Sequence, residues 1–321
     1  MAYWILYIIF GFTLLIFGAN WLVNGASSLA KRFQVSDLAI GLTIVAFGTS
    51  APELIVNIIA SANDRSDIVL GNIIGSNNFN LFVILGIAGL IYPIRTKSST
   101  AWKEIPISLT AAILVYLLAN DYFTGGGNDI SRLDGVILLL CFFGFLYYVF
   151  LQMKKEKILE EVALTKTTVW KIVALIVIGL TGLVIGGQLV VKNSVAMASA
   201  MGISEKTIGL TIVAAGTSLP ELVTSVVAAV KRNSDIAIGN VIGSNVFNLF
   251  LILGTSSIIA PIAYHTKFNI EIYLLCAGTV ILILGMLTGV KRQLDRWEAG
   301  ILLGVFALYM CYLLIYLSET S

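Results

Sequence analysis

Apolar runs of about 20 residues alternate along the chain with short polar breaks, a pattern that predicts helices crossing a bilayer. Ten such spans fall at 3–29, 37–60, 67–92, 101–119, 133–151, 169–197, 205–229, 236–261, 270–289 and 297–317. The expected fold class is an all-α polytopic membrane protein. The longest connection, 152–168, is highly charged and lies mid-chain, and loop 120–132 carries a GGGN run expected to be flexible. The first apolar run opens at Tyr3 with no basic residue before it, so it reads as a retained span and not as a secretory signal.

Composition narrows the reading. Of the 321 residues, 58% are hydrophobic and 12% are charged, about half the charge density of soluble domains. That density cannot cover a soluble surface of this size, so the implied partner is the lipid bilayer. The net charge of +2 calls for no nucleic acid, and no obligate protein partner is evident. Cys141, Cys276 and Cys311 are odd in number, widely spaced and inside apolar runs, so they read as small core residues. The single His265 sits in a polar loop, which excludes a His-based metal centre. With ten alternating spans, 15 of the 20 basic residues fall on one side and 5 on the other. The positive-inside rule makes the richer side cytoplasmic. The expected placement is therefore the plasma membrane, with both termini outside and the central loop inside.

The chain repeats itself. Residues 41–54 (GLTIVAFGTSAPEL) match 209–222 (GLTIVAAGTSLPEL) at 12 of 14 positions, and 70–86 match 238–254 at 13 of 17. Both matches share an offset of 168, which also pairs Pro93 with Pro261 and Asp67 with Asp235. The expected organisation is a five-span unit at 1–151, a linker at 152–168 and a second five-span unit at 169–321. Because five is odd, the second unit enters the membrane inverted, an arrangement characteristic of secondary transporters with a site near the midplane. The alternative is a duplication that served only assembly, yet the outer spans of the two units have diverged while these two segments barely differ.

Sixteen of the 18 acidic residues fall in loops or at span ends. The other two, Glu53 and Glu221, lie inside spans and are repeat partners. A carboxylate at bilayer depth costs at least ~2.5 kcal/mol, and two near one axis repel each other. Either they are protonated and hydrogen-bonded, or a cation joins them; their symmetry favours the cation. Each lies in a GTSxPE segment. Pro52 and Pro220 remove a backbone donor and so free carbonyls at Gly48 and Gly216, beside Thr49 and Thr217. The second matched segment adds Ser76 and Asn80, and Ser244 and Asn248, spaced four apart on one helix face. GNxxGSN also allows a plainer reading, a polar clasp between packed helices, for Asn72 and Asn240 and partly for Asn77 and Asn245. The donors are hard oxygens throughout, which selects Ca2+ or Na+ over zinc or copper.

These segments closely resemble the α-repeats of the Ca2+/cation antiporters, in the prokaryotic Na+/Ca2+ exchanger branch. The resemblance extends over all ten spans. It implies that Glu53 and Glu221 coordinate a central Ca2+ together with Thr49 and Thr217. It further implies flanking Na+ sites at Ala46, Thr49, Ser50, Glu53 and Ser76, and at Ala214, Thr217, Ser218, Glu221 and Ser244. Asn80 and Asn248 would complete the centre, and Ala46 and Ala214 would act through their carbonyls. In the family spans 1 and 6 slide as a pair, which the glycines of those spans fit. Some relatives carry an acid at one of the two Asn positions, including the K+-dependent branch at the second; Asn248 argues against K+ co-transport. The 152–168 loop is too short for the Ca2+-sensing domains of animal exchangers.

The resulting expectation is an antiporter that exports Ca2+ against inward Na+. Both ions are cargo, no cofactor is needed and no enzyme is implied. An H+/Ca2+ antiporter is the first rival and a cation channel the second. An intramembrane enzyme lacks any Ser–His pair or paired Asp within a span.

Overall fold

The computed structural model describes residues 2–95, 101–121, 128–156, 167–202, 214–287 and 293–319. Expectations that fall wholly or partly outside these residues include the GGG of the flexible loop, most of the central linker, 205–213 at the start of the seventh span and 288–289 at the end of the ninth. The described residues are helical almost throughout. The helices are α1 (Ala2–Phe33), α2 (Asp37–Thr49), α3 (Ala51–Ala62), α4 (Ser66–Ile91), α5 (Ala101–Ala119), α6 (Arg132–Glu156), α7 (Val169–Ala200), α8 (Ala214–Thr217), α9 (Leu219–Val230), α10 (Ser234–Ile259), α11 (Asn269–Leu287) and α12 (Arg296–Glu319). Among the described residues seven helices are long and apolar enough to cross a membrane, or eight if the bent pair α2–α3 is one span.

Two small sheets qualify the all-α expectation. Strand β1 (Ile94–Arg95) pairs antiparallel with β4 (Gln293–Leu294), and β2 (Asp129–Ile130) pairs antiparallel with β3 (Ile262–Ala263). Each ladder joins one half of the sequence to the other. They are formed by loop residues just past helix ends, where backbone groups leave the helical pattern and need partners.

The offset of 168 reappears in the backbone. It relates α3 to α9, the π-turn Phe79–Ile84 inside α4 to Phe247–Ile252 inside α10, and β1 to β3. It also relates the left-handed residues Asp64 (φ 54°) and Arg232 (φ 59°), which end the turns after α3 and α9.

The two helices carrying GNxxGSN are central. In α10, 94% of the spanning window is buried, and in α4 72%, against 17–39% in the other five long helices. Their apolar faces share one core in which Phe142 meets Phe247 edge-on at 4.9 Å, a contact worth about 0.5–1.5 kcal/mol beyond burial. A second cluster unites α1 and α7 through Leu15, Leu22, Ile172, Ile176 and Leu183. Here the two backbones touch in antiparallel register. A Cβ at Gly18 would lie 2.8 Å from the Gly179 carbonyl oxygen and 2.9 Å from the Leu183 nitrogen. Without a hydrophobic drive between helices in lipid, close backbone approach at small residues supplies the packing energy.

Lys231, just past α9, donates to Asn24 Oδ1 (2.7 Å) and to the Asn20 carbonyl (3.1 Å) on α1. Cys311 lies on the exposed face of α12, which corrects its assignment to the core; Cys141 and Cys276 are half-buried, and all three are free thiols.

Candidate functional site

The GTSxPE segments are the points at which helices break. Ser50 leaves helical geometry (φ −82°, ψ 4°), and α2 and α3 meet at a bend of 48°. Ser218 does the same (φ −90°, ψ 9°) between α8 and α9. Each proline enters in the first turn of the following helix, where its missing N–H is no loss. Glu53 and Glu221 follow directly, also in the first turn, where the positive end of the helix dipole favours a carboxylate. Both are 1% exposed.

The two breaks engage each other across the halves. Ser50 Oγ donates to Glu221 Oε1 at 3.0 Å, and Ser218 Oγ lies 3.3 Å from Glu53 Oε1 and 3.2 Å from Ser76 Oγ. Thr49 donates to Asn240 Oδ1 at 3.0 Å, and Thr217 to Asn72 Oδ1 at 3.2 Å. Asn240 in turn donates to Ser225 Oγ and to the Glu221 carbonyl, and Asn57 donates to the Glu53 carbonyl at 2.7 Å. Asn72 and Asn240 thus do form a clasp, but one that grips the threonines of the opposite half.

A second ring is built from asparagines. Asn80 donates to Asn245 Oδ1 (3.1 Å) and Asn248 to Asn77 Oδ1 (3.0 Å). Asn77 and Asn245 donate to each other's backbone carbonyls at 3.4 and 3.3 Å. After these bonds, Glu53 Oε2, Glu221 Oε2, Asn80 Oδ1, Asn248 Oδ1 and Ser244 Oγ are buried with no hydrogen-bond partner. Native proteins leave few buried polar atoms unpaired, and unpaired acceptors paired by the repeat suit a positive partner. Neither glutamate has an ion-pair partner among the described residues. No group of three His, Cys, Asp or Glu gathers among them either, so the formal charge of the donor set is that of two carboxylates.

The structure brings together Ser50, Glu53, Ser76, Ser218 and Glu221 directly, with Thr49 and Thr217 beside them. Asn80, Asn248 and Ser244 are buried nearby along the chain, on α4 and α10. The Ala46 carbonyl already accepts from the Ser50 N–H (3.0 Å) and lies 3.3 Å from the Thr49 hydroxyl, so an ion there would share it. Ala214 opens α8. Sequence reasoning undervalued Asn77 and Asn245; their recurrence in GSNxFN in both halves was the available signal.

Burial of carboxylates extends beyond this pair. Glu104, Asp134 and Glu298, assigned from the sequence to loops or span ends, are 2%, 8% and 3% exposed. Asp134 accepts from the Ser131 N–H and Glu298 from the Asp295 N–H, which are helix-capping roles, and Glu104 accepts from the Tyr148 hydroxyl at 2.6 Å.

Residues 3–151 and 171–315 match the family model of the sodium/calcium exchanger protein. The chain belongs to the sodium/calcium exchanger family. It is 31% identical to the sodium/calcium exchanger MaX1 of Methanosarcina acetivorans, with 97% of each chain covered. It is 33% identical to the inner membrane protein YrbG of Escherichia coli, over 82% of this chain and 83% of that one. Its fold is similar to that of the sodium-calcium exchanger NCX_Mj soaked with Na+ and Sr2+, with a TM-score of 0.83 at 30% identity, covering 97% of this chain and 98% of the other. As a member of this exchanger family the chain is an integral membrane protein of the ion-transport class.

Proposed function

We propose that this chain is a ten-span antiporter that exchanges Na+ for Ca2+ by alternating access at one mid-membrane site. The ten spans are the seven long helices, the broken segments α2–α3 and α8–α9, and α5. They divide into inverted units at 1–151 and 169–321 with a cytoplasmic linker at 152–168, and both termini face outward, as the 15:5 split of basic residues requires.

One observation carries the reading: two buried glutamates and two buried asparagines, in pairs offset by 168, leave four acceptor oxygens without a donor. A Ca2+ ion takes about 6–8 oxygen ligands, and hydroxyls and carbonyls beside the four supply the remainder. Glu53, Glu221, Thr49 and Thr217 hold Ca2+, with Asn80 and Asn248 completing the centre. Ser50, Ser76 and Ala46, and Ser218, Ser244 and Ala214, hold Na+ on either side. Two carboxylates balance one Ca2+ or two Na+, so the two ions compete for one set of charges. The names of MaX1 and NCX_Mj support Na+ as the counter-ion. Only a charge-balanced cavity crosses the low-dielectric interior at tolerable cost, which couples the two fluxes.

Purified protein in vesicles tests this by uptake of radiolabelled Ca2+ with and without an opposed Na+ gradient at fixed pH. Na+-driven uptake that vanishes in Glu53→Gln and in Glu221→Gln is the expected result. Uptake driven by a pH gradient in Na+-free vesicles would move the assignment to an H+/Ca2+ antiporter, and flux without any counter-ion would make it a channel.

A further inference from the structure

We propose that Asn77 and Asn245 are positioning residues that lock the amides of Asn248 and Asn80 with their oxygens toward the cation, and so set the site's affinity without touching the ion. The inference rests on the cation-binding reading of the site and adds to it a mechanism for orienting neutral ligands.

A carboxylate presents oxygen whichever way it turns. A primary amide does not, because half of its end is an N–H donor that repels a cation. Asn80 and Asn248 can serve as ligands only if rotation about their terminal bond is prevented. The ring prevents it, and backbone atoms set its polarity. Asn77 lies 3.4 Å from the Asn245 carbonyl and Asn245 3.3 Å from the Asn77 carbonyl. A carbonyl only accepts, so both side chains must direct Nδ2 there. Their Oδ1 atoms then face Asn248 and Asn80 at 3.0 and 3.1 Å. Those contacts demand a donor, so Asn248 and Asn80 must turn Nδ2 into the ring. Their Oδ1 atoms are left buried and without a partner. Flipping either amide would set oxygen against oxygen in the ring and nitrogen toward the cation. Asn77, Asn80 and Asn248 are 0–1% exposed and Asn245 is 1% exposed, so water does not compensate for a flip.

The test is a double-mutant cycle on Ca2+ affinity, read both as KM for Na+-driven uptake and as thermal stabilisation of the purified protein by Ca2+. Asn245→Ala alone is expected to weaken Ca2+ binding ~10-fold, the loss of one well-aligned ligand. In an Asn80→Asp background both terminal atoms are oxygens, and the same substitution is expected to change affinity by less than ~2-fold. In an Asn80→Ala background there is no amide left to orient, and again Asn245→Ala should add little. This second background keeps the test decisive if Asn80→Asp binds no Ca2+. A ~10-fold loss that persists in both backgrounds would show that Asn245 only supports the helix crossing, and would overturn the inference while leaving the exchanger assignment intact. A wild-type protein that neither transports Ca2+ nor is stabilised by Ca2+ or Na+ overturns both.

Discussion

Ser50 and Ser218 each stand at the break of one half and reach the glutamate of the other. A hydroxyl that donates to a buried carboxylate contributes about 1.5–3 kcal/mol, and here it also fixes which oxygen of each glutamate remains unpaired. Ser50→Ala is therefore expected to weaken Ca2+ binding by ~10-fold or more, measured as KM for exchange. Ser218→Ala should weaken it less, because the Ser76 hydroxyl, 3.2 Å from Ser218, can turn toward the vacated space. Equal losses in the two variants would contradict the asymmetric network. At this scale the two glutamates stood out in the sequence because charge inside an apolar run is costly and rare, and the serines and threonines because they share the repeated segments. The direction of each hydrogen bond was not. Asn72 and Asn240 read from the sequence as a polar clasp between packed helices, but what they clasp was not legible until their threonine partners, 145 and 191 residues away in sequence, were placed.

Among the elements, the two broken segments and the α1–α7 pair carry the consequences. The breaks fall where Pro52 and Pro220 open a new helix, a position at which the missing N–H is no loss. The π-turns of α4 and α10 had no such marker. They follow shortly after the ring residues Asn77 and Asn245 in each helix. In the α1–α7 seam the obstacle to a side chain at Gly18 is backbone, which cannot rotate away. Gly18→Leu is expected to cost at least about 1–3 kcal/mol through forced separation of the helices, seen as a lower melting temperature and a lower yield of monodisperse protein. A Cβ at Gly144 would meet no neighbouring atom within 4 Å, so Gly144→Ala on α6 should leave both measures unchanged.

For the molecule as a whole, the inverted arrangement proposed for the two units makes a prediction that no single half contains. Asn63 and Lys231 are repeat partners at the turns after α3 and α9, and both are exposed. In a background with the three native cysteines replaced, Asn63→Cys should react with an impermeant maleimide from outside the cell. Lys231→Cys should react only from the cytoplasmic face. Labelling of both from one side would mean parallel repeats or a missed span. The two ladders that tie the halves together, β1 with β4 and β3 with β2, were not foreseeable. Each is two residues long, and its backbone groups pair only because the loops of opposite halves meet.

The sequence by itself determined that this is a duplicated, helical membrane protein with two carboxylates at depth and helix breaks beside them. Those properties follow from local rules: apolar length, charge cost and the chemistry of proline. Only the tertiary structure decided which oxygens are available to an ion. That depends on where every competing N–H and O–H is spent, and at this site the decisive donors come from the opposite half of the chain. The duplication announced two similar half-sites; their interlocking, serine to glutamate and asparagine to asparagine, joins them into one.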